Sequence, residues 1–541
     1  MLPNEPTFER RALNRVTFGA RDTDVQYVQT IGWPAWVLEQ LSPPTGDDSS
    51  LAAHLAGQRM RIQYDAPRPN TRGIWKATDE ERPLTYLTAD AETLWNLARD
   101  AGQSVSPVES ARPFQEIMAA TYIRNTHAKF QLREFMTDFW HNHFNVGKAQ
   151  QRFATAELAV FDREAIRPHV LGNFRTMLEA NAKSASMLVY LDNWLSRADR
   201  PNENYAREIL ELHTVGQGVY LGLETTAQTV TSGVDVVAAG FNDDDIIQAS
   251  RALSGWTLSR GPLAETRDAG RDGVPQAPAG TFVYSRSLHN SQAGKFMGVD
   301  LSKLTADMAQ GQKVIDIAAF HPATAAFIVG KLARRMFGDS PPASVIARGT
   351  DAWKANQSAP DQIAKVLEAM LVGGSEIGNA TPVKVRRPYE HLLAMFRTTD
   401  MTVNASPRMA EALDAVHDGL FSWTGPNGRP DVNAYWLGTG SNLLTWNLSI
   451  QTALGEKGMV STLATQTPAA AMTNATALVE YWVGRMIGYQ ISAAAMTALI
   501  NDQAGSLGVL AASRGANTGA VETALQRLVG LISVTAEFVY R

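Results

Sequence analysis

Two stretches of the sequence bring metal-ligating or proton-transferring side chains close together. The first, Phe139-Trp140-His141-Asn142-His143-Phe144, closes an apolar-periodic run. Residues two apart point roughly 200° apart on a regular helix, so His141 and His143 can share one ion only where the chain unwinds. Asn142, Asn145 and Gly147 are expected to supply that unwinding. The spacing also suits one histidine at a helix C-terminus and the other packed among Phe139, Trp140 and Phe144. The second stretch runs from Pro201 to Thr214 and contains Asn202-Glu203-Asn204-Tyr205-Ala206-Arg207-Glu208. At about 100° per residue, Asn204, Glu208 and Glu211 fall on one polar face and His213 on the opposite, apolar one. This predicts that Glu208 and Glu211 line a pocket while His213 packs into the core. A solvated face with an Arg207–Glu211 pair at i, i+4 fits the same pattern.

Three further places carry reactive types. Met187 to Asn193 ends an apolar run in Asp192 and Asn193, an acid and an amide that also serve as helix caps. His289 leads through a polar turn to Lys295. The aromatic loop from Gly425 to Trp436 could wall a pocket. His-Glu-x-x-His, the phosphate-binding P-loop, the Gly-x-Ser-x-Gly elbow, the dinucleotide glycine fingerprint and paired Glu-x-x-His motifs are all absent.

The elements that must position these residues are mostly helical. Phe114 to Ile123, Phe130 to Trp140, Tyr205 to Val215, Ala318 to Phe337 and Ile363 to Leu371 carry helical periodicity, and Pro322 is placed to open a helix after His321. Pro468 to Ala477 and Ile491 to Val521 are Ala-rich and read as packed helices. Residues 216–300 differ, being rich in Gly, Thr, Val and Pro. They predict strands within Tyr220 to Val236, a short helix over Asp245 to Leu253, and an exposed loop from Gly261 to Gly280. The fold class expected is mainly α, a large multi-helix fold with a small β- and loop-rich insertion. Residues 1–215 form an N-terminal helical part, 216–300 the insertion, and 301–541 a C-terminal helical part packed with the first.

Composition narrows the function. The 541 residues include no cysteine, which excludes disulfides, zinc fingers and a thiol nucleophile. With 49 basic and 54 acidic side chains the net charge is −5, a poor balance for a chain that grips phosphate backbone. No stretch approaches the ~18 consecutive apolar residues that a membrane span needs. Lack of thiols fits an oxidising, exported setting, with a cytoplasmic one as the alternative.

Ala12 to Gly19, Phe139 to Phe144, Tyr190 to Asn193, Asn202 to Glu208, Ala252 to Trp256, His289 to Gly298 and Pro430 to Trp436 follow one another across nearly the whole chain. In that order they resemble the bacterial domain of unknown function 1800 family. The resemblance implies a large, mostly helical, usually exported protein, often encoded beside an alkaline-phosphatase-like or sulfatase-like partner, with no generally established activity. Gly218 to Asn242 is longer than the stretch usual in the family, and the usual export leader is missing.

Together these features set the expectation of a divalent-metal site where His141, His143, Asp192 and Glu208 converge, for zinc, iron, manganese or copper(II). Glu211 or His289 would act as general base or acid, and Arg207 or Lys295 would hold an anionic group. The function expected is a metal-dependent hydrolase or modifying enzyme acting on a cell-surface or extracellular polymer. A non-catalytic scaffold for an exported partner and a protein with noncovalent haem are the alternatives.

Overall fold

The computed structural model describes residues 2–147, 152–261, 274–381, 383–406, 413–455, 462–512 and 518–541, without the side chains of 505–512 and 518. Helices dominate, and strands occur as short two-stranded antiparallel pairs. Helix α1 (Phe8–Val16) is capped by Thr7, whose hydroxyl accepts from the Arg10 amide. Strands β1 (Arg59–Tyr64) and β2 (Thr78–Pro83) form a hairpin that alternating periodicity had not flagged, because β2 is largely polar and exposed. Helices α2 (Arg112–His127) and α3 (Gln131–His143) follow, then α4 (Phe174–Lys183) and α5 (Glu203–Glu208).

Residues 216–300 hold three of the strand pairs. Strands β3 (Thr229–Ser232) and β4 (Asp235–Ala238) pair beside an isolated bridge from Tyr220 to Phe241, so the strands start later than the alternation predicted. Helix α6 (Asp243–Ala252) carries three acids in its first turn and an Asn242–Asp245 capping box, which suit the positive end of its dipole. Strands β5 (Trp256–Leu258) and β6 (Phe282–Tyr284) pair with each other, as do β7 (Lys295–Phe296) and β8 (Val299–Asp300). Most of the loop expected from Gly261 to Gly280 lies outside the described residues.

Helix α7 (Ala309–Phe320) ends just before α8 (Pro322–Phe337), where His321 Nδ1 accepts from the Ala323 amide, as the proline placement predicted. Helix α9 (Pro388–Thr398) is the centre of the molecule, with every residue buried. A helix wrapped on all sides must pair its charges or neutralise them. Glu390 meets Arg335, Arg387 at 3.6 Å and Arg541 at 3.4 Å, while Arg397 donates to the Gly19 and Thr126 carbonyls and pairs with Asp24 at 2.8 Å. The two ends of the chain meet at this core. Arg541 donates to the carbonyls of Asn14 (3.2 Å) and Arg15 (2.9 Å), and its main chain exchanges hydrogen bonds of 3.0 and 2.8 Å with Lys384.

Of the C-terminal Ala-rich segments, Ile491 to Val521 is helical over α11 (Ala493–Ala512) and the start of α12 (Thr518–Ser533), with 513–517 outside the described residues, whereas Pro468 to Ala477 makes a tight 3-10 turn over Ala471 to Thr473 before α10 (Ala475–Met486) begins. Among the described residues no single helix is long and apolar enough to cross a membrane; α7 and α8 reach that length only as a pair bent by 57°.

Candidate functional site

Helix α3 stays helical through His143 and closes at Phe144, whose amide bonds the Trp140 carbonyl at 2.8 Å. The unwinding expected at Asn142 does not occur. His141 and His143 therefore leave the helix on different sides, and the shared ion site does not form.

His141 Nε2 lies 2.8 Å from Asp162 Oδ1. Asp162 sits on a π-helical turn, Phe161–Ile166, and also accepts from Arg167 Nε at 2.7 Å. Arg167 forks onto both oxygens of the fully buried Glu134 at 3.1 and 3.0 Å, and Glu134 also pairs with Arg133 at 3.1 Å. Burial pushes the Asp162 carboxyl up, but Arg167, His141 and Arg124 outweigh it and hold the group well below the usual carboxylate range. The outcome is a closed network of matched charges.

His143 faces the other way. Its Nε2 is 3.1 Å from the His213 carbonyl oxygen, and its Nδ1 is 2.9 Å from Lys331 Nζ. A carbonyl only accepts, so Nε2 carries the proton and Nδ1 accepts from the lysine. Burial, the Lys331 charge and His213 drive the His143 imidazole well below its ordinary value, keeping it neutral. Lys331 thus bonds a neutral base where a carboxylate would be usual, and burial pulls its amine down to about 8, aided by Arg334 and opposed by Asp431.

This pair borders a cavity of about 290 Å³ walled by α3, the last turns of α8 and the loop 427–432. Phe327, Lys331, Arg334 and Arg335 recur at i, i+4, i+7 and i+8 on α8, which puts them on one face. Arg335 and Arg387 converge on Asp138 at 2.9 and 2.7 Å and on Glu390. Lys331 and Arg334 have no carboxylate within ion-pair distance among the described residues, so their charges face the cavity unmatched.

The remaining asparagines of the motif hold the facing loop. Asn142 exchanges hydrogen bonds with the main chain of Arg429 (2.8 and 3.2 Å), and Asn145 Nδ2 donates to the carbonyls of Trp423 and Gly425 at 3.0 and 2.8 Å. The approach is close enough that a Cβ on Gly428, which has φ +72°, would fall on the Asn142 carbonyl oxygen; one on Gly147 would fall on that of Trp423. The residues expected to unwind the helix instead clamp the aromatic loop, which does wall the cavity.

The acidic helix joins the site through its backbone. After α5 the chain turns π-helical over Ile209–His213, so the regular wheel ends at Glu208. His213 is buried as predicted, and packs 5.2 Å from the Phe144 ring while its carbonyl orients His143. Glu208 is half-buried, and burial followed by the Glu211 charge raises its carboxyl. Glu211 pairs with Arg207 at 3.1 Å and accepts from Gln217, and Arg207 also reaches Asp243 at 3.2 Å.

Arg207, Glu208 and Glu211 do not line the His143–Lys331 cleft, and the other expected residues are not brought to it either. Asp192 is exposed, in left-handed conformation with φ 58°, at the turn that Asn193 and Asn202 tie to the carbonyls of Leu253 and Leu191. His289 bridges the Ser254 carbonyl (3.0 Å) and Gln310 Oε1 (3.2 Å), fastening the insertion to α7. Lys295 is exposed on β7. Among the described residues no three His, Asp or Glu side chains gather as a metal-ligand set. Sequence reasoning missed Lys331, Arg334, Arg335 and Arg387. The signal was present in the cations at i, i+3 and i+4 on a strongly apolar helix.

The fold and cleft define a mainly helical protein with a cation-lined cavity at its centre. Residues 11–540 match the model of a family described as protein of unknown function (DUF1800), and the chain belongs to that family. No curated protein and no solved structure matches it.

Proposed function

We propose that the protein is an enzyme acting on an anionic substrate, phosphate-, sulfate- or carboxylate-bearing, in the His143–Lys331 cleft. Lys331 is the general base and Arg334 holds the anion. The observation that supports this is the Lys331 amine, bonded to a neutral imidazole inside a cavity and brought near neutral pH by burial. A lysine so tuned accepts a proton near the working pH, which an exposed lysine does not. His143 positions the amine, the His213 carbonyl fixes the His143 tautomer, and Arg335 and Arg387 are spent on Asp138 and Glu390.

The test is competitive acetylation of the whole protein across pH, read by peptide mass analysis, with and without inorganic phosphate, sulfate or acetate. Lys331 should react with a midpoint near pH 8, well below the surface lysines, and one of the anions should protect it. A midpoint matching the surface lysines, with no protection by any anion, overturns the reading. A non-catalytic scaffold gains support from the way His141 and His289 tie elements together. That alternative expects Lys331 to titrate as proposed but no anion to protect it.

A further inference from the structure

A second, larger cavity of about 990 Å³ lies on the His141 side of α3 and shares no lining residue with the His143–Lys331 cleft. Its size is at the upper end of the ~300–1,000 Å³ typical of small-molecule sites. The walls are apolar, with Leu41, Leu55, Leu84, Leu87, Ile117 and Leu171 among them. Four guanidinium groups, from Arg124, Arg133, Arg163 and Arg167, line the same space together with two carboxylates, Asp47 and Asp162.

Their partners do not balance them. Asp47 takes Arg124 at 3.0 Å, and Asp162 and Glu134 take Arg167 and Arg133. Three carboxylates thus serve three arginines. Arg163 is left with the Leu87 and Ala89 carbonyls and with Glu164, whose side chain is 63% exposed and screened by solvent. The Arg163 and Arg167 side chains are 35% and 16% exposed, the most open of the four. Arg133 Nη2 also reaches Asp47 at 3.6 Å, so the surplus rests with Arg163. An apolar chamber with surplus guanidinium charge is complementary to a molecule with an apolar body and a single anionic end. A cation would be repelled, and a neutral molecule would leave the arginine unanswered.

We propose that this cavity binds an amphiphilic anion, its apolar body against Leu41, Leu55, Leu84 and Leu87 and its acidic head at Arg163 and Arg167. A carboxylate head, as in a fatty acid, and a phosphate head, as in a lysophospholipid, offer the same chemistry, and the probes separate them.

The experiment is isothermal titration of the full chain with dodecanoate, dodecyl phosphate, dodecanol and dodecylamine, each below its micelle concentration. At least one anion should bind at one per chain, with the alcohol about tenfold weaker or more and the amine not binding. Preference for dodecanoate assigns a carboxylate head, and preference for dodecyl phosphate a phosphate head. Arg163→Met, at the open rim, should weaken the anion about tenfold, with the chain still folded and its melting temperature lowered only by the loss of the bonds to Leu87 and Ala89. Leu55→Trp should occlude the chamber and weaken all ligands. The proposal is overturned if neither anion binds saturably, if the alcohol binds as tightly as the anions, or if Arg163→Met leaves anion affinity unchanged.

Discussion

His141 and His143 leave one helix in different directions and meet opposite kinds of partner. On the His141 side, Asp162, Glu134, Arg167 and Arg133 answer one another charge for charge, at 2.7 to 3.1 Å. On the His143 side a lysine faces an uncharged imidazole, and Asp431, whose charge acts on that lysine, is drawn to Lys384 at 3.0 Å. Two histidines with one residue between them thus meet a matched charge network on one face and an unmatched cation on the other. What separates them is the identity of the third group each touches. Matched pairs in a low-dielectric interior lock a conformation, while an unmatched cation keeps its capacity to bind.

Asp162→Ala gives the most severe test of this contrast. It strands His141, leaves Arg167 with Glu134 alone, and should cost about 3–5 kcal/mol, read as a lower urea midpoint. A change of less than about 1 kcal/mol would mean that the His141 network is not structural and would break the comparison.

Gly428→Ala probes the other side at intermediate cost. Its positive φ and the Asn142 carbonyl leave no room for a Cβ, so a loss of about 1–3 kcal/mol is expected, together with loss of anion protection at Lys331. Destabilisation with anion protection intact would show that the loop does not shape the cleft.

Lys331→Met should have the smallest effect on stability, and of the opposite sign. The native amine titrates near 8 against 10.5 for an ordinary lysine, so protonation favours the unfolded chain. This cost is fully present below pH 8 and fades as pH rises toward 10.5. The variant should be more stable than wild type at neutral pH, by no more than about 1 kcal/mol, with the gain shrinking in alkali. A variant less stable at neutral pH would place Lys331 among the structural charges.

Much of this arrangement was legible in the sequence, and the failures have physical causes. Helical periodicity located α2, α3 and α8, and the placement of Pro322 gave the start of α8, because burial of one apolar stripe and a fixed proline φ are local matters. His213 in the core followed from the wheel. The convergence of His141 with His143 did not, because Trp140, Phe144 and the loop clamped by Asn142 reward a helix that continues to its last residue. The π-helical turns at Phe161–Ile166 and Ile209–His213 were also hidden, since an extra residue per turn leaves no compositional mark. Lys331 escaped because its importance lies in a partner 188 positions away.

The meeting of Arg541 with Asn14, Arg15 and Glu390 bears on the order in which the molecule can be made. A ribosome delivers α1 well before the segment that clasps it, with α9 and its buried carboxylate emerging between them. Until residues 539–541 clear the exit tunnel, Glu390 lacks one of its counter-charges and the strand-like seam with Lys384 and Arg386 is open. The centre is therefore assembled before it is fastened, and its closure waits on residues 539–541 joining helices made long before them.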